Sequence, residues 1–241
     1  MVSKSVPFRK IASDTGILLF VAALPAHAGR PLTTDDAAIV DAKSCQVESW
    51  VDRGSDATTG WFIPSCNFGL GTEVQVGFAR TREGGKARFS GTYIQAKTLL
   101  REMTEQEPWG VGLVAGVTRR PLNETHRGWH NPYVLVPFTQ LICNTPLTFH
   151  ANVGWARERE ARRDVTLWGA AIEAQASERL TLLAEAYGQN SEKPFVRIGG
   201  RWSAINDRLD VDLTWVTRPG GPSNERFVSL GVTWYSGALL P

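Results

Sequence analysis

The chain has 241 residues, 26 basic and 24 acidic, and 42% of its residues are hydrophobic. That size suits one large domain or two small ones, and the nearly balanced charge excludes a phosphate-binding surface, which needs clustered Lys and Arg. No nucleic-acid partner is therefore expected.

The first segment carries Lys4, Arg9 and Lys10, then the apolar run Gly16 to Pro25, then Ala26-His27-Ala28. A basic start, a short apolar stretch and a small-x-small end make up an export leader. The apolar run is about half of what a membrane-spanning helix needs. Cleavage is expected after Ala28, which removes three basic groups and one acidic group and leaves 23 of each. Beyond the leader there is no run of eighteen apolar residues, and no composition break divides the remainder, so a single domain follows. The acidic stretch Thr33-Thr34-Asp35-Asp36 lies within residues 29–42, a segment that could fold into a lumen against Arg197, Arg201 or Arg208, or lie loose in the periplasm.

From residue 43 onward, segments of roughly ten residues alternate apolar and polar positions, the period-two pattern of strands facing two environments. Val74, Val76 and Phe78 alternate with Glu73, Gln75 and Gly77. Leu147, Phe149, Ala151, Val153 and Trp155 alternate with Thr148, His150, Asn152 and Gly154. Leu209, Val211, Leu213 and Trp215 alternate with Arg208, Asp210, Asp212 and Thr214. The spacing predicts strands over 43–52, 61–68, 72–81, 87–100, 109–118, 132–141, 147–157, 164–175, 180–188, 194–203, 208–217 and 226–235. The sixth contains Pro132 and Pro137, neither of which can donate to a ladder.

These features predict an all-β fold, a closed antiparallel transmembrane β-barrel of about twelve strands spanning 43–235, with a tail at 236–241. Closure leaves no edge and satisfies every backbone group in lipid. Connections such as Gly69 to Gly71 and Ala176 to Arg179 are short, whereas Arg53 to Gly60, Arg119 to Asn131 and Arg218 to Glu225 are longer and polar. Short periplasmic turns and longer external loops distinguish the two ends of such barrels; Arg101 to Pro108 is a long connection on the short side. Of nine tryptophans, Trp50, Trp61, Trp155, Trp168 and Trp215 fall toward the expected outer rim, and Trp109, Trp202 and Trp234 toward the periplasmic rim. Two aromatic girdles match the two interfaces of a bilayer.

A hairpin centred between Ser55 and Asp56 places Trp50 opposite Trp61 and, in the same register, Cys45 opposite Cys66. An exported chain keeps disulfides, so Cys45 to Cys66 is the expected bond and Cys143 the free thiol; three free thiols are the alternative.

The segments Arg30-Pro-Leu-Thr-Thr-Asp-Asp-Ala37, Cys45-Gln-Val-Glu-Ser-Trp50 and Gln95-Ala-Lys-Thr-Leu-Leu-Arg101, with the closing strands, resemble a group of proteobacterial outer-membrane barrels. That group is distantly similar to transporters linked to phenol meta-pathway degradation. The resemblance covers most of the mature chain and implies an outer-membrane barrel and uptake of a hydrophobic compound. It carries over no catalytic residues.

The polar phase places Glu73, Gln75, Lys97, His150, Asn152, Glu173, Glu185, Arg197, Arg201, Arg208, Asp210 and Asp212 on the inner face. Such a wall could line a watery passage for a small solute, or form a salt-bridged filling in which buried charges pair. An enzyme of the hydrolase or acyltransferase kind is a third reading; no Gly-x-Ser-x-Gly elbow occurs, and a rim site near His126 would be its seat. Glu124, His126 and His130 have metal-ligating side chains, but no helix fixes their spacing, so they read as exposed loop residues. Neither metal nor cofactor is expected, and the partners are outer-membrane lipid and a small solute.

Overall fold

The computed structural model describes residues 29–104, 106–120, 131–190 and 192–240. The expected leader at 1–28 and the loop residues Glu124, His126 and His130 lie outside them. Twelve strands form one closed barrel: β1 (Ser44–Gly54), β2 (Ala57–Asn67), β3 (Thr72–Glu83), β4 (Lys86–Arg101), β5 (Trp109–Arg119), β6 (Asn131–Leu141), β7 (Leu147–Glu158), β8 (Arg163–Gln175), β9 (Leu180–Gln189), β10 (Phe195–Ile205), β11 (Leu209–Thr217) and β12 (Phe227–Tyr235). Each pairs antiparallel with its sequence neighbours, and β1 pairs with β12 to close the cylinder. The ends of β1 and β12 are tied further by the tail, where Ser236 N donates to Cys45 O at 2.9 Å and Cys45 N donates to Ser236 Oγ at 2.8 Å.

Alternation along the strands decides the two faces. On β11 and β12, Leu213, Trp215, Leu230 and Val232 are exposed, whereas Asp212, Thr214, Ser229 and Thr233 are buried. The same inversion runs around the cylinder, with Phe62, Phe78, Ile94, Val153, Leu182 and Ile198 on the outside. Apolar outside and polar inside reverses the arrangement of a water-soluble domain.

The ends differ from the sequence expectation. Arg53 to Gly60 is not a loop: the strands run on, and only Ser55 and Asp56 link β1 to β2. Thr58 and Thr59 are β-formers that extend the ladder opposite Arg53 and Asp52. β3 and β4 join through Gly84-Gly85, both at positive φ, the tight turn whose twist matches that of the strands. Pro132 and Pro137 are accommodated in β6 because one sits at the strand's start and the other in a break of the β5–β6 ladder between Val111↔Phe138 and Val114↔Leu135.

Parity corrects the aromatic girdle. Among the described residues six tryptophans face outward, Trp155, Trp168, Trp202, Trp215 and Trp234 being exposed and Trp109 lying on the outward phase of β5. Trp50 and Trp61 do not: Trp50 shares a phase with the buried Ser44, Gln46 and Glu48, so this pair points inward. Their rings stack at 5.4 Å, an arrangement that contributes about 0.5–1.5 kcal/mol beyond its buried area. Cys45 and Cys66, on the opposite phase, form the disulfide at a Cα separation of 4.0 Å, and Cys143 is free and exposed. Closing a loop with a sequence separation of 21 stabilises by about 3 kcal/mol in the chain-entropy account.

Candidate functional site

The interior is occupied by the chain's own residues 30–40. Eight strands make a barrel that side chains alone fill, so twelve, with a radius roughly half again as large, leave surplus space near the axis. One further thickness of polypeptide, about 4.8 Å, fits that surplus.

The segment follows the wall. From Val40 back to Arg30 it meets β2 and β3, then β6, β7, β8, β9, β10, β11, β12 and β1, with Lys97 of β4 reaching across to it, so it circles the axis as a belt; a fully extended chain of this length would measure about 36 Å, about one circuit at a radius of about 6 Å. Val40 N donates to Glu73 Oε2 at 2.9 Å, and Val40 O accepts from Asn67 Nδ2 at 2.8 Å. Ala37 N donates to Thr139 Oγ1 at 2.8 Å. Asn152, with its amide turned to satisfy both partners, donates to Asp35 O at 2.8 Å and accepts from Asp35 N at 2.6 Å. Thr33 N and Thr34 N both donate to Glu185 Oε1, at 2.7 and 2.5 Å. Pro31 O accepts from Arg197, and Arg30 O from Arg201 Nη1 at 3.0 Å. Inward side chains thus satisfy main-chain groups that a buried irregular segment would otherwise leave unpaired.

Two charge clusters lock the belt. Lys97 reaches inward from β4 to Asp35 and Asp36, at 2.6 and 2.9 Å. At the other end, the Arg30 guanidinium takes Asp212 with two bonds, Nε to Oδ2 at 3.1 Å and Nη2 to Oδ1 at 2.6 Å, donates to Ser229 Oγ at 2.9 Å and lies 4.2 Å over the Trp50 ring. A planar fork suits that bidentate, stacked site and a Lys would not. Gly231 leaves room for it, since a Cβ there would lie 2.5 Å from Arg30 Nε.

The remaining polar residues connect wall to wall. Thr139 Oγ1 lies 2.9 Å from His150 Nδ1, His150 Nε2 is 3.9 Å from Glu173, and Glu173 takes Arg201 at 3.2 Å. Arg201 also lies 3.9 Å from Asp210, whose carboxylate accepts from Ser203 Oγ at 2.6 Å and Tyr235 Oη at 3.2 Å. Thr139, His150 and Glu173 have the hydroxyl, imidazole, carboxylate order of a nucleophile relay, but the hydroxyl is buried and turned to the belt. Gln75 joins a separate group with Tyr93 Oη at 2.6 Å and Gln95 Nε2 at 3.1 Å.

Of the twelve residues expected on the inner face, eleven, Glu73, Gln75, Lys97, His150, Asn152, Glu173, Glu185, Arg197, Arg201, Asp210 and Asp212, are directed to this interior. Arg208 is not. It is exposed in the link between β10 and β11, because the strand begins one residue later. Sequence reasoning missed Arg30, Trp50, Thr139 and Glu48 as interior partners. For Trp50 and Glu48 the signal was present, since both fall on the phase opposite Cys45. For Arg30 and Thr139 there was none.

A family model described as "Uncharacterised conserved protein UCP029691" matches residues 16–235. No curated protein matches the chain. Among solved structures, the KdgM porin aligns with a TM-score of 0.59 at 9% identity, covering 80% of this chain and 99% of that one. The NanC porin aligns at 0.54 and 9% identity, covering 80% and 100%. The outer-membrane protein Omp33 of Acinetobacter baumannii aligns at 0.50 and 8% identity, covering 80% and 98%. At such identities the likeness is one of fold, a porin-like antiparallel barrel.

Proposed function

We propose that this chain, which belongs to the family whose model spans nearly all of it, is an outer-membrane channel for a small solute, closed in the described state by the belt of residues 30–40. The observation that carries the reading is the way the belt is held: main-chain N–H and C=O groups bonded to wall carboxylates, hydroxyls and guanidinium groups, in a barrel whose outer face is apolar. A stopper attached by polar bonds can exchange them for water, and the wall it leaves behind is one that water wets. The solved porins share the barrel, and the apolar exterior is suited to lipid as partner.

The finer expectation of a hydrophobic solute rests on the resemblance to phenol meta-pathway transporters. A wall carrying Glu73, Lys97, Glu185, Arg197 and Asp212 favours a hydrated solute instead, because charges solvate poorly in apolar company. A second reading, a barrel with a permanently filled lumen, is favoured by the buried Arg30–Asp212 pair, with side chains 5% and 2% exposed.

Planar-bilayer recording of the purified protein and of a variant lacking residues 30–40 separates the two. The channel reading expects low conductance from the parent and a steady ohmic current from the deletion. A deletion variant that folds, shown by heat-dependent gel mobility, yet passes no current would refute it.

A further inference from the structure

We propose that processing after Ala28 creates a binding group for the barrel's own interior: the new α-ammonium of Gly29 docks on the carboxylate of Glu48 and closes the belt. The inference does not depend on the channel reading, since it concerns how the belt is anchored, not what it admits.

Glu48 is 5% exposed, on the inward phase of β1. Among the described residues it accepts one hydrogen bond, from Arg30 N at 3.0 Å. Gly29 lies directly against it, so close that a Cβ on Gly29 would collide with Glu48 Oε1. Gly29, by this close approach, and Arg30, through its N–H, thus both meet one carboxylate, at the first residues that cleavage after Ala28 would leave.

The charge balance around Glu48 calls for a cation. A buried carboxylate is costly unless paired, and the nearby cations are engaged elsewhere: the Arg30 guanidinium on Asp212, and Lys97 on Asp35 and Asp36. As an internal amide, Gly29 could offer at most one N–H and no charge. As a free terminus it offers three donors and a full positive charge at the same place. Cleavage would then give Glu48 a cation of its own, so that the belt seats firmly only in the processed chain.

The test uses the exported, folded protein. Intact-mass measurement establishes the mature end, and a small amine-reactive reagent at neutral pH is then applied to folded and denatured protein, with labelling of the Gly29 amine followed by peptide mass spectrometry. An amine held protonated by an opposite charge should react about tenfold or more slowly when folded. E48Q should lose most of that protection while keeping heat-dependent mobility. Insertion of one Ala between Ala28 and Gly29, which moves the terminus past the carboxylate, should do the same without altering any wall residue. The proposal is overturned if the mature end lies elsewhere, if Gly29 reacts equally in folded and denatured protein, or if the insertion variant is as protected as the parent. Should E48Q fail to fold, the parent ratio and the insertion variant still decide.

Discussion

Replacing Asp212 by Asn tests the belt and its lock together. Asp212 holds Arg30 by bonds of 3.1 and 2.6 Å, and the guanidinium is further enclosed by Ser229 and the Trp50 ring. Removing one member of a buried ion pair leaves an uncompensated charge and costs about 3–5 kcal/mol. A belt residue, unlike a strand residue, has an escape: it can withdraw with its charge into water. The destabilisation should therefore fall on docking of the belt more than on the barrel, shifting the ratio of closed to open forms by roughly a hundredfold to a few thousandfold. Planar-bilayer recording of D212N should show frequent or sustained openings, while urea unfolding in lipid vesicles shows a barrel close to the parent in stability. R30Q should open the barrel by the same route. The double variant R30Q/D212N should be less perturbed than the sum of the singles, because neither charge is left stranded, and a double-mutant cycle reads this coupling directly. Strict additivity, or a D212N protein with parental conductance, would mean that the Arg30–Asp212 pair does not hold the belt.

Leu213, one residue away and 56% exposed on the outer face, should respond in the opposite compartment: L213R should cost about 2–4 kcal/mol near the bilayer midplane, measured by folding titration into vesicles, with no change in conductance. The mature protein should fractionate with the outer membrane and migrate differently on gels before and after heating, and recovery as soluble periplasmic protein would contradict the membrane reading. Deleting residues 30–40 uncovers Glu48, Glu73, Glu173, Glu185, Asp210 and Asp212 against Lys97, Arg197 and Arg201, so the open barrel should prefer cations, an expectation that an anion-selective reversal potential would refute. Peptide mapping should find Cys45 joined to Cys66 and Cys143 alkylated without denaturant.

Much of this molecule is written in period two. Val, Leu, Phe, Trp and Ala recur at every second position through β7, β9, β11 and β12, and since successive side chains of a strand point to opposite faces, the outer and inner walls follow from sequence alone. The hairpin register follows too, because pairing Cys45 with Cys66 obliges Trp50 to meet Trp61. Parity then assigns Trp50 to the face of Glu48. A rule that tryptophans near strand ends belong to the membrane interface hides that assignment, and the structure restores it.

The course of residues 30–40 belongs to the tertiary structure. The belt is held chiefly through main-chain groups, which every residue carries alike, so no side-chain pattern in Thr33 or Ala37 names Glu185 or Thr139 as its partner. Strand number sets the need for it: one more layer of polypeptide is wanted only once twelve strands have closed around a space wider than their side chains fill. Arg30 and Asp212 are 182 positions apart, and local sequence carries no trace of a pair that exists because the first segment circles back to β11 inside a finished cylinder.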